Sequence, residues 1–143
     1  MLRALAAVPL AAALAGAAPL PGIPSYAQGY TAWTKLNRAP IPPRASDPHR
    51  SYKNVYVSKL PRGNRYPVGT VIVKEGRGTR TGYVRLIAVM RKLKATGPNN
   101  GWTMIEWSRS SPGARFTELA RGQVCYSCHV GARRTDYVFT KRR

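Results

Sequence analysis

The alternation of hydrophobic and polar positions divides the chain into three stretches. The first 27 residues hold a short positive start, Met1-Leu2-Arg3, an apolar run of small residues from Ala4 to Ala18, and a small-x-small site at Ser25-Tyr26-Ala27. This is the layout of a secretory signal peptide, with a second acceptable cleavage site at Ala15-Gly16-Ala17. The run is too short and too rich in alanine to span a bilayer stably. From Tyr30 to Asn37, Tyr30, Trp33 and Thr34 fall on one helical face and predict a short amphipathic piece. Residues 38–49 carry Pro40, Pro42, Pro43 and Pro48, so they lack backbone donors and read as an extended connector.

From Ser51 the period changes to two. Tyr52 to Val57 predicts a strand, stopped by the turn residues Pro61-Arg62-Gly63-Asn64. Pro67-Val68-Gly69-Thr70 is a second turn leading into Val71 to Glu75, which Gly76 and Gly78 close. Tyr83 to Lys92 is the longest apolar run, as expected of a central strand covered on both faces. Gly97-Pro98-Asn99-Asn100-Gly101 is a turn, and Trp102 to Trp107 follows it as a fourth strand. Phe116, Leu119 and Ala120 recur at helical spacing before Gly122, predicting a short helix or turn there. No internal repeat is present.

Composition adds charge. The 143 residues include 24 Lys and Arg against 5 Asp and Glu, a formal net charge of +19. Such a balance points to an anionic partner, a lipid surface or nucleic acid. The leader and the lack of any groove-reading motif argue against nucleic acid, leaving either a plain solvated basic surface or one that steers toward acidic redox partners, anionic substrates or membrane lipids.

The chemistry is concentrated in Cys125-Tyr126-Ser127-Cys128-His129, which contains both cysteines of the chain. Two thiols three positions apart followed by histidine is the c-type haem attachment pattern: the thiols form thioethers on one face of a turn and the imidazole binds iron. A disulfide, a thioredoxin-like redox pair and a partial metal site share the spacing. A thioredoxin-like pair would need a long helix after it, and only residues 130–143 follow. The expected architecture is α+β: a predominantly antiparallel sheet of four or five strands, a few short helices, and the haem motif near the C-terminus, all in one domain over 28–143. Two cytochrome plans are excluded. No methionine follows His129 to serve as a sixth ligand, and the period-two stretches and prolines leave no room for four long helices. His49 is the sole other histidine; it reads as a structural hydrogen-bonding residue or, alternatively, a distal ligand.

The succession Pro67-x-Gly69-Thr70-Val71-x-Val73-Lys74-Glu75, Gly101-Trp102, Cys125-x-x-Cys128-His129 and Thr135-Asp136-Tyr137-Val138-Phe139-Thr140 resembles the cytochrome P460 and cytochrome c′-β family. The resemblance implies an exported, periplasmic or secreted, homodimeric protein with one haem c per chain. Cys125 and Cys128 would hold the haem and His129 would be the proximal iron ligand. An open distal side would take small nitrogen oxides such as hydroxylamine or nitric oxide. Lys74 stands where the P460 branch cross-links a lysine nitrogen to the macrocycle, which favours that branch, and the implied activity is hydroxylamine oxidation. The alternatives are a non-catalytic nitric oxide binder and an electron carrier. The distal carboxylate that the oxidising members use as a proton relay is matched by Ile87, which cannot accept a proton, so Glu106 and Glu75 are the candidate substitutes. Tyr137 and Phe139 are expected in the sheet core, and Asp136 either orients His129 or caps local backbone.

Overall fold

The computed structural model describes residues 18–142. Most of the apolar leader and its Ala15-Gly16-Ala17 site lie outside the described residues. Six strands form one antiparallel sheet in which each strand pairs with the next along the chain: β1 (Thr34–Lys35), β2 (Tyr52–Val57), β3 (Val71–Arg77), β4 (Val84–Lys92), β5 (Trp102–Ser108) and β6 (Thr117–Arg121). The period-two stretches became β2 to β5, and the longest of them, β4, lies inside the sheet as its apolar run required. The turn into β5 holds Asn99, Asn100 and Gly101 at positive φ; a side chain on Gly101 would meet the Lys94 carbonyl oxygen at 2.2 Å. Only glycine fits there.

Both faces of the sheet are covered. One carries Val71, Val73, Ile87, Val89 and Trp107, closed by Ile23, Ala27, Tyr30 and Phe116. The other carries Val55, Val57, Ile72, Met90 and Met104, closed by Leu36, Tyr66 and Val138. The segment before Gln28 is part of this construction. Ala27 is fully buried, the Gln28 amide spans Leu20 and Ile23, and the Phe116 N–H donates to the Pro21 carbonyl at 2.9 Å.

Two expectations change. Phe116 to Arg121 was expected as a helix or turn; Thr117–Arg121 is instead the edge strand β6, paired with β5 through Trp107↔Glu118 and Glu106↔Ala120, which raises the strand count to six. The free edge of β5 offers backbone partners, and that tertiary pairing overrides the helical spacing of three apolar residues. Similarly, the amphipathic piece after Tyr30 is a single 3₁₀ turn, Tyr30–Ala32, followed by β1. The connector 38–49 contains no regular element beyond one bridge, Ile41 to Lys53.

Glu75 is fully buried on the first face. Its carboxylate accepts from Tyr30 Oη at 2.8 Å, Asn54 Nδ2 at 2.7 Å and the Arg77 guanidinium at 3.0 Å. Burial, reinforced by this anion, pushes the Tyr30 hydroxyl far above its ordinary pKa. Truncation would leave three donors without an acceptor. Glu75→Ala should therefore cost about 3 kcal/mol, read as a lower urea midpoint at unchanged slope.

Candidate functional site

The haem motif forms one helix, α1 (Gln123–His129), entered through Gly122 at positive φ and continued by 3₁₀ turns over Val130–Thr135. The chain must turn sharply off β6 to bring α1 back over the sheet, and Gly122 makes that turn without strain. The Tyr126 hydroxyl then ties α1 to the start of β5 by donating to the Trp102 carbonyl at 3.1 Å. Cys125 and Cys128 are both free thiols, one helical turn apart. Cys125 is half-buried against the second core, which pushes its thiol pKa up, and Cys128 is exposed.

His129 ends the helix with its Nδ1 2.7 Å from the Tyr137 carbonyl oxygen. A carbonyl only accepts, so Nδ1 carries the proton and Nε2 keeps its lone pair. Burial pushes the His129 pKa down, which favours the neutral ring that a metal needs. The Phe139 ring stands edge-on to it at 5.3 Å.

The sheet supplies the other side of the site. Strand register aligns Val55, Lys74, Ala88, Glu106 and Ala120 in one row across five strands, so all five side chains leave the same face. Lys74 and Glu106 stand two strands apart, about 10 Å, with only the methyl group of Ala88 between them. Burial lowers the Lys74 pKa to about 8, against opposing pulls from Glu106 and Asp47. Cys128 acts on Lys74 electrostatically, Lys74 and His49 act on His129, and Glu106 acts on Cys125, so these groups share one low-dielectric neighbourhood. The proline-rich connector reaches it too: His49 Nδ1 lies 3.1 Å from Glu106 Oε2, and Asp47 pairs with the buried Lys53.

The expectations for individual residues divide cleanly. Lys74 and Glu106 face the motif together. Ile87 does not. It is fully buried in the opposite core, because β4 alternates and the pocket-facing residue between Lys74 and Glu106 is Ala88. An ungapped sequence match cannot tell adjacent strand positions apart, and a one-residue slip exchanges the faces. Glu75 is on the far face with Tyr30 and is no substitute relay. His49 makes the hydrogen-bonding contact that its structural reading expects, with Glu106 as the partner. Asp136 does not touch His129, whose partner is the Tyr137 carbonyl; of the stretch after it Val138 is buried in the second core and Tyr137 packs against it half-buried, while Phe139 is 58% exposed. The His49–Glu106 pairing was beyond sequence reasoning, since 57 positions separate two residues with no shared motif.

These residues fit a covalently held haem. The thiols are free and correctly spaced, the imidazole presents Nε2, and alanines floor the row beneath the helix. Val124 within α1, Val130 directly after it and Phe139 against His129 are exposed apolar side chains at the motif, a surface that a large apolar macrocycle would cover. The family model for cytochrome P460 matches residues 27–140. The chain belongs to the cytochrome P460 family. A search of curated proteins finds no match. Membership implies a c-type haem and bound iron.

Because Lys74 holds its proton less tightly in the folded chain, the unfolded chain binds the extra proton between pH about 8 and the ordinary value of 10.5. Stability of the haem-free protein should therefore rise with pH across that window. Chemical denaturation at stepped pH checks this, and Lys74→Met should flatten the rise.

Proposed function

We propose that this cytochrome P460 family member is an exported mono-haem oxidoreductase that acts on hydroxylamine or a related small nitrogen oxide at an open distal iron face. The observation that carries the reading is the row Lys74–Ala88–Glu106 facing the attachment helix, with His49 on Glu106. Bound there, the haem supplies an iron that takes a small ligand and exchanges electrons with it. Cys125 and Cys128 hold it and His129 ligates it. Lys74, whose nitrogen the resemblance joins to the macrocycle, must react as the neutral amine, and a pKa near 8 keeps a neutral fraction available at physiological pH. Oxidising hydroxylamine releases protons with its electrons. Glu106 accepts protons and His49 passes them outward along the connector to solvent.

The electrons leave to an acidic redox partner. All five carboxylates of the chain are already paired, Asp47 with Lys53, Glu75 with Arg77, Glu106 with His49, Glu118 with Arg121 and Asp136 with Lys92. Lys74 aside, cations such as Lys59, Arg62, Arg80, Lys94 and Arg115 are exposed with no acidic partner and steer an anionic protein. The working unit in this reading is a homodimer. Export proceeds by removal of the leader after Ala17 and not after Ala27, because Ile23 and Ala27 belong to the core and Pro21 holds the Phe116 backbone.

Two measurements test this. The haem-loaded protein recovered after export should begin at Ala18 by intact mass and keep its haem on a denaturing gel; a start at Gln28 would refute the cleavage site, and loss of the stain would refute covalent attachment. Glu106→Gln should lower hydroxylamine turnover about 10²–10⁴-fold, with His49→Ala lowering it less. If wild-type protein binds nitric oxide tightly and does not turn over hydroxylamine, the second reading holds, a nitric oxide binder, which the lack of a carboxylate at Ala88 favours.

A further inference from the structure

The Tyr137 carbonyl that holds His129 Nδ1 sits on an unusual piece of backbone. Asp136 (φ 54, ψ 43) and Tyr137 (φ 67) are consecutive non-glycine residues in the left-handed region. Side chains with a Cβ occupy that region rarely and stay there only where their surroundings over-determine them. Here the surroundings are a buried carboxylate. Asp136 Oδ1 accepts from Lys92 Nζ at 2.8 Å, Asn100 Nδ2 at 2.5 Å and Trp102 Nε1 at 3.2 Å. Its Oδ2 accepts from Lys92 Nζ at 2.9 Å and from the Tyr66 N–H at 2.8 Å. The side chains of Lys92 and Asp136 are 1% and 0% exposed.

These donors come from three places that are far from Asp136 in the chain: the end of β4, the turn and start of β5, and the loop before β3. Asp136 thus nails the segment after the haem motif to one end of the sheet. The neighbouring bonds complete the fixture. The Tyr137 N–H donates to the Ala132 carbonyl at 2.9 Å, Thr135 Oγ1 bridges the Ala132 and Val138 carbonyls, and Val138 is buried in the second core. With Asp136 and Val138 both fixed, the Tyr137 carbonyl between them has one direction left, and it points at His129.

We propose that the Asp136–Lys92 cluster is a positioning device for the proximal ligand, acting through the Tyr137 carbonyl. A carbonyl held at 2.7 Å from Nδ1 draws on its N–H, raises the basicity of Nε2 and keeps the ring from rotating. A buried ion pair is weak evidence for added stability, since apolar residues of similar size often serve as well. It is a strong constraint on direction, because four donors make five hydrogen bonds to one carboxylate. The proposal rests on His129 being the iron ligand of the haem-loaded protein.

The test uses the haem-loaded protein and reads the iron–histidine bond, not turnover. In the ferrous form, Lys92→Met should move the iron–histidine stretching band to lower frequency in resonance Raman spectra and shift the reduction potential upward. Trp102→Phe and Asn100→Ala, which each remove one donor, should give smaller shifts in the same direction. Lys92→Arg should restore most of the wild-type values. Val57→Ala, which loosens the same core without touching the carboxylate, should lower the melting temperature and leave the band and the potential in place. If Lys92→Met fails to fold, the two milder variants decide. An unmoved band and potential across the series, with lowered melting temperatures, would show that the cluster is structural and overturn the positioning role. A wild-type band that persists in His129→Ala would overturn the ligand assignment itself, and this proposal with it.

Discussion

The structure depends on a single sheet having to be buried on both faces within a short chain. Side chains alternate along each strand, so β3 sends Val71, Val73 and Glu75 one way and Ile72 and Lys74 the other. Each face then needs its own cover. The first is closed by the stretch around Ile23, Ala27 and Tyr30, and the second by Leu36, Tyr66 and the C-terminal segment with Val138. That second cover is the one carrying α1. The haem motif therefore lies over the face that presents Lys74 and Glu106, and no rearrangement of α1 could bring it to Glu75 without turning the sheet over.

Scarcity of carboxylates shapes the polar interior. Five acids serve 24 lysines and arginines, and three of the five, Glu75, Glu106 and Asp136, are buried. Each buried acid gathers donors that are distant in sequence: Glu75 joins the N-terminal turn to β2 and β3, Glu106 joins the connector to β5, and Asp136 joins the end of the chain to β4 and β5. At Asp136, burial alone would push the pKa up, and the Lys92 ammonium together with the Tyr66 and Asn100 donors outweighs it and holds the pKa below the usual carboxylate range. With three of five acids drawn inside, only Asp47 and Glu118 are left to offset the exposed cations, so the interior use of negative charge and the outward positive field have one cause.

Much of this was legible in the residues. β2, β3, β4 and β5 follow from alternation and from turn residues that mark their ends, and the haem motif follows from two thiols and an imidazole at a spacing that one helical turn explains. β6 was not legible, because Thr117-Glu118-Leu119-Ala120-Arg121 carries no strong strand preference and becomes a strand only against the edge of β5. The facing of Ile87 failed for a related reason. Register is set by contacts between strands, and a chain read singly holds no information that distinguishes Ile87 from Ala88 as the one beside Lys74. The partner of His49 was not legible because a connector without regular structure has no period to project from.

The identity of Ala88 bears on how such a pocket handles protons. A carboxylate on β4 would sit directly between Lys74 and Glu106, close enough to pair with the lysine and keep its ammonium charged. With alanine there, the acid that acts most on Lys74, Glu106, is one strand further away and is already engaged by His49. Coulomb attraction weakens with separation, and two strand spacings lie between the backbones of the pair. Burial therefore wins over attraction at Lys74, which is the order in which the two effects contribute to its lowered pKa. The residue most suited to a reactive amine and the residue most suited to a proton acceptor are kept apart by a methyl group, each able to change charge without fixing the other.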